Sequence, residues 1–91
     1  MSDDELSPYE RHLLGALDDA LNRLASEELV EIVPEHRAAL LAELLGAAAN
    51  AETPRRMIKK TVRTLVSSEH VEEIYATDDQ LRDILTAAIG G

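Results

Sequence analysis

The sequence predicts an all-α fold, a compact bundle of about five short helices joined by short loops. Three observations carry that expectation. Apolar residues recur at helical spacing through most of the 91 residues. Two capping boxes, Ser7-Pro8-Tyr9-Glu10 and Thr77-Asp78-Asp79-Gln80, mark helix starts. Apolar residues make up 45% of the chain, yet Phe and Trp are absent and the only aromatic rings besides the histidines are Tyr9 and Tyr75. Packing therefore falls to Leu, Ile, Val and Ala, and the small Ala side chains let helices approach closely. A chain of this length holds one core. Residues 7–91 are expected to form a single helical domain, preceded by a flexible acidic tail over residues 1–6.

From the capping box at Ser7, Leu13, Leu14, Leu17, Leu21 and Leu24 follow at helical spacing, widened by Ala16 and Ala20. Residues 26–33 are ambiguous. Ser26 before two acids suits a helix start, whereas Val30, Ile32 and Val33 ahead of Pro34 suit an extended link. A helical turn leading into an apolar connector is preferred, because nothing else in the chain reads as a strand to pair with.

Pro34 opens a second helix with Ala38, Leu41, Leu45 and Ala48 as its stripe, joined by Leu40 and Leu44. It should end near Asn50 in a left-handed cap. Thr53-Pro54 starts a third helix, with Ile58, Val62 and Leu65 as its buried line and Met57, Thr61 and Val66 at the margins. Ser67-Ser68 then breaks the chain and caps a short fourth helix carrying Val71, Ile74 and Tyr75. The last helix follows Thr77 with Leu81, Ile84, Leu85, Ala88 and Ile89. Gly15 and Gly46, isolated inside helices, mark close helix approach or local looseness.

Composition removes several functions. Without cysteine there is no disulfide framework, thiolate metal site or Cys nucleophile. No apolar run approaches the roughly 20 residues that cross a bilayer. The acidic start, with no apolar run behind it, does not read as a secretory signal, so a cytoplasmic protein without a membrane partner is expected. His12, His36 and His70 form no metal-ligand spacing, and Glu35-His36 and His70 with Glu73 are only fragments of an acid–base site. No glycine-rich phosphate loop or G-x-S-x-G motif is present. Neither catalysis nor a cofactor or metal is expected. Around Ser67-Ser68-Glu69-His70-Val71-Glu72 the chain superficially resembles the attachment serine of acyl and peptidyl carrier proteins. It lacks their Asp-Ser-Leu, and the serines sit too late in the chain, so that resemblance is rejected.

Charge is the informative feature. Eighteen acids against nine bases give a net −9. Five of the bases, Arg55, Arg56, Lys59, Lys60 and Arg63, lie in the third helix, where Pro54 to Val66 contains no acid. With only four bases left against all the acids, the rest of the chain carries −14. At 100° per residue the five cations span an arc of about 140° on one side of the helix. Cations in a first turn oppose the helix dipole, so the ridge calls for compensation: by acids of the same chain or by water, by an acidic face of another copy, or by a separate anion such as nucleic acid, a phosphate or an acidic peptide.

The leading expectation is a non-catalytic helical interaction module, self-assembling or an adaptor, whose ridge engages carboxylates. The acidic tail over residues 1–6 and Glu27, Glu28 and Glu31, or Glu69, Glu72 and Glu73, could supply them. The first alternative is an acidic inhibitor or immunity-type protein that masks a basic partner. A nucleic-acid regulator, with the second and third helices as a helix-turn-helix, ranks below both. An acidic body repels a duplex, and the basic helix lacks polar base readers such as Asn or Gln.

Overall fold

Ser7 caps the first helix reciprocally. Its Oγ accepts the Glu10 backbone N–H at 3.1 Å, while its own N–H donates to Glu10 Oε1 at 3.0 Å. The structure, a computed structural model, describes residues 7–90, so the acidic tail expected over residues 1–6 lies outside the described residues. Helix α1 runs Pro8–Ser26 and buries Leu13, Ala16, Leu17, Ala20, Leu21 and Leu24, the stripe its sequence predicts save Leu14, which is only half-buried.

Its far end departs from expectation. The Leu29 N–H reaches back to the Leu24 carbonyl (2.9 Å) and the Glu28 N–H to that of Ala25 (3.1 Å). This is a Schellman turn, which needs a left-handed residue at its corner. Glu28 occupies that corner at φ 59°, where glycine is usual.

Beyond the turn, Val30–Ile32 is not the unpaired connector expected but forms strand β1. Its antiparallel partner is Val71–Ile74, strand β2, which replaces the short helix predicted there. Val30 faces Ile74, Glu31 faces Glu73 and Ile32 faces Val71. Glu72 is therefore a bulge, an extra residue without an opposite number. A regular strand sends residues three apart to opposite faces. The bulge instead brings Val71 and Ile74 to the same side, where both pack with Val30 and Ile32 against the core.

A single 3-10 turn, Pro34–His36, leads into α2, Arg37–Ala49, so Pro34 opens that turn rather than the α-helix. Arg37 ties the start of α2 to α1, donating to Asp18 Oδ1 and Asn22 Oδ1, each at 2.6 Å. Asn50 ends α2 in a right-handed conformation, not the left-handed one predicted. Its side-chain amide donates to the Gly46 carbonyl at 2.8 Å, which supplies the missing donor directly. Helix α3, Pro54–Ser67, starts where Thr53 Oγ1 accepts the Arg56 N–H. Helix α4, Asp78–Gly90, starts from the reciprocal Thr77–Gln80 box.

Among the described residues, four helices and a two-stranded ribbon make up the fold, rather than about five helices, and the class remains an all-α bundle. Each helix packs mainly on its two neighbours in the ring α1–α2–α3–α4. Leu17, Leu24, Leu40, Leu44, Leu65 and Leu81 are sealed from solvent at the centre. Gly15 and Gly46 mark no close approach, since a methyl group at either would meet nothing within 4 Å.

Candidate functional site

Helix α3 divides cleanly into two faces. Met57, Thr61, Val62 and Leu65 are buried. Thr61 is accepted into the core because its hydroxyl donates to the Met57 carbonyl at 2.7 Å. The buried line is therefore wider than the one predicted: Met57 and Thr61 join Val62 and Leu65 in it, and Ile58 is only half-buried. Val66 is 49% exposed, because its angle on the helix falls within the arc of the cations.

Arg55, Arg56, Lys59, Lys60 and Arg63 are all exposed along the other face. Among the described residues none of them forms an ion pair with a carboxylate. The pairs formed are Arg23–Glu27 at 2.9 Å and Arg37–Asp18 at 2.6 Å, both away from α3. Direct pairing among the described residues thus leaves the ridge charge uncompensated. Arg55 and Arg56 also stand in the first turn of α3, which contains no acid.

Packing of α3 against α4 enlarges the ridge into a groove. Arg82 of α4 joins Arg55, Arg56 and Lys59 around it, with Ile58 and Thr86 as its less polar lining. A second shallow depression runs along the ridge itself between Arg56, Lys59, Lys60 and Arg63. The sequence gives no hint of Arg82, because its place beside the ridge depends on how two helices pack.

The acidic candidates form one assembly where the sequence suggested two alternatives. Glu31 and Glu73 sit opposite each other across the ribbon, and Glu72 projects from the bulge beside them. Glu27 and Glu28 adjoin one end, where α1 turns into β1, and Glu69 lies in the turn at the other. Glu27 is already engaged by Arg23. Tyr75, 59% exposed, donates its hydroxyl to Glu31 Oε1 at 3.2 Å. Partial desolvation, followed by the Glu31 and Glu73 carboxylates, pushes its phenol above the ordinary value.

Ribbon pairing also joins two histidines 34 residues apart, His36 and His70. Among the described residues no hydrogen bond joins Glu35 to His36 or Glu73 to His70. Among the described residues no group of three or more His, Asp or Glu side chains gathers as a metal site, and no helix is long and apolar enough to cross a membrane. No family model matches the chain, and neither a curated protein nor a solved structure does.

Proposed function

We propose that this chain is a non-catalytic helical interaction module whose α3 ridge docks on a carboxylate-bearing protein surface. The observation that carries the proposal is the ridge itself, five exposed cations without an intramolecular carboxylate partner among the described residues. The carboxylate surface at hand is the ribbon of a second copy. Glu31, Glu72 and Glu73 are concentrated there, and Glu31 with Glu73 has a like charge for its neighbour. Ridge-to-ribbon contact neutralises both surfaces at once. Net −9 opposes the approach of two copies, but that repulsion is screened beyond about 8 Å at physiological ionic strength. Contacts of this kind set register and association rate more than affinity.

Charge-swapped chains test the proposal. Arg56→Glu with Lys60→Glu removes the ridge from one variant, and Glu31→Lys with Glu73→Lys removes the ribbon from another. Each alone should be monomeric with unchanged helix content, while an equimolar mixture should associate. A mixture that stays monomeric, or a ridge variant that associates like the wild type, contradicts the reading.

A second reading has its own observation. The Glu31–Glu73 pairing makes the ribbon a concentrated anionic strip, suited to masking a basic partner. On that reading the ribbon variant loses binding and the ridge variant does not. Nucleic-acid binding through α3 would instead appear as a mobility shift at low salt that the ridge variant abolishes.

A further inference from the structure

His36 ends the 3-10 turn that follows β1, and His70 immediately precedes β2. Their Nδ1 atoms lie 3.2 Å apart, with the two rings edge-on at 88°. The backbone fixes this approach. The Val33 N–H donates to the His70 carbonyl at 3.2 Å, and the His36 N–H to the Val33 carbonyl at 2.9 Å. On the His70 side, its N–H donates to Ser68 Oγ at 3.2 Å, and that hydroxyl, largely buried, donates to Glu43 Oε1 at 2.7 Å. Glu43 of α2 and Ser68 thereby anchor the turn that presents one imidazole to the other. His36 is exposed and His70 half-buried, so an ion has access from solvent.

We infer that His36 and His70 form a two-imidazole site for a divalent transition ion such as Zn²⁺ or Ni²⁺, bound through both Nδ1 atoms. Imidazole nitrogens bind such ions at about 2.0–2.1 Å, which sets two ligands about 3.3–3.4 Å apart in tetrahedral and about 2.9 Å in right-angled geometry. The 3.2 Å separation falls inside that window. No third His, Asp or Glu side chain among the described residues joins them, so water completes the coordination. The bound ion links the entrance of α2 to the entrance of β2, closing the segment that contains α2 and α3. Its fit depends on the ribbon, not on the ridge, and stands apart from the docking proposal.

One competing arrangement leaves a distinct trace. Without an ion, the same contact is a hydrogen bond in which one Nδ1–H donates to the other ring's lone pair. With an ion, both Nδ1 atoms give up their hydrogens and both Nε2 atoms carry one. Titration of the full chain with Zn²⁺ or Ni²⁺ by calorimetry should therefore show one ion per chain. Either His36→Gln or His70→Gln should weaken binding more than about tenfold, the least that losing even an outer-shell partner costs. His12→Gln, on the exposed face of α1, should leave it unchanged. Imidazole ¹⁵N spectra of the wild type with Zn²⁺ should show both rings as Nε2–H tautomers, a readout independent of any variant's folding. Wild-type affinity in both Gln variants, or Nδ1 signals unmoved at saturating Zn²⁺, would overturn the assignment.

Discussion

Glu31 and Glu73 stand directly opposite each other across a two-stranded ribbon, with Tyr75 hydrogen-bonded to one of them. Like charges in directly opposed positions destabilise a strand pair by up to about 1 kcal/mol. A ribbon this short has few pairs to absorb that cost. Glu73→Gln should therefore raise the urea midpoint, by about 0.2–1 kcal/mol in unfolding free energy. On the proposed reading it should also weaken association. A variant both less stable and equally associated would contradict the two statements together.

The same surroundings govern Tyr75. Its phenol is held above the ordinary value, by desolvation and then by Glu31 and Glu73. Since the raised group is neutral when protonated, its contribution to stability is present below the ordinary tyrosine value and lost as pH rises through the folded one. Absorbance at 295 nm in a Tyr9→Phe background isolates this titration. Glu31→Gln should move it down towards the ordinary value, and an unmoved midpoint would separate Tyr75 from Glu31.

Glu28 holds a left-handed corner that an L side chain enters at a cost of roughly 1–2 kcal/mol. Glu28→Gly should accordingly stabilise the chain by up to about 1 kcal/mol, with Leu29 still bonded to Leu24. Gly15→Ala and Gly46→Ala should each add about 0.5–1 kcal/mol, since a methyl group at either position meets open space. Denaturant unfolding measures all three.

Arg55 separates folding from binding. A cation in a helix's first turn is unfavourable by about 0.3–1 kcal/mol, and an acid there is favourable by a similar amount. Arg55→Glu should raise the melting temperature of the isolated chain while weakening its association. A lowered melting temperature would mean that Arg55 serves the fold.

Local signals in the sequence carried most of the helical frame. The stripes of α1 and α4, the caps at Ser7, Thr53 and Thr77, and the cationic face of α3 all follow from residues within a few turns of one another. The ribbon was hidden for a physical reason. Val71 and Ile74 are three apart, the spacing of a helix face, and only the bulge at Glu72 lets a strand present both to the core. Because β2 does not read as a strand, β1 is left without a partner in the sequence, and residues 26–33 read as a helical turn leading into an apolar connector. His36 with His70, and Glu31 with Glu73, meet only through that pairing. Arg82 likewise joins the ridge through tertiary packing. Val66 was the exception: its place within the cationic arc follows from helical angle alone.

Molar mass by light scattering after size exclusion, over a range of concentrations and two salt levels, tests the docking claim most directly. Near physiological ionic strength the wild type should exceed the monomer mass and rise with concentration. In about 1 M salt, where the screening length falls to about 3 Å, it should return to the monomer. A monomer at every concentration and in both salts would contradict ridge-to-ribbon docking between copies of this chain.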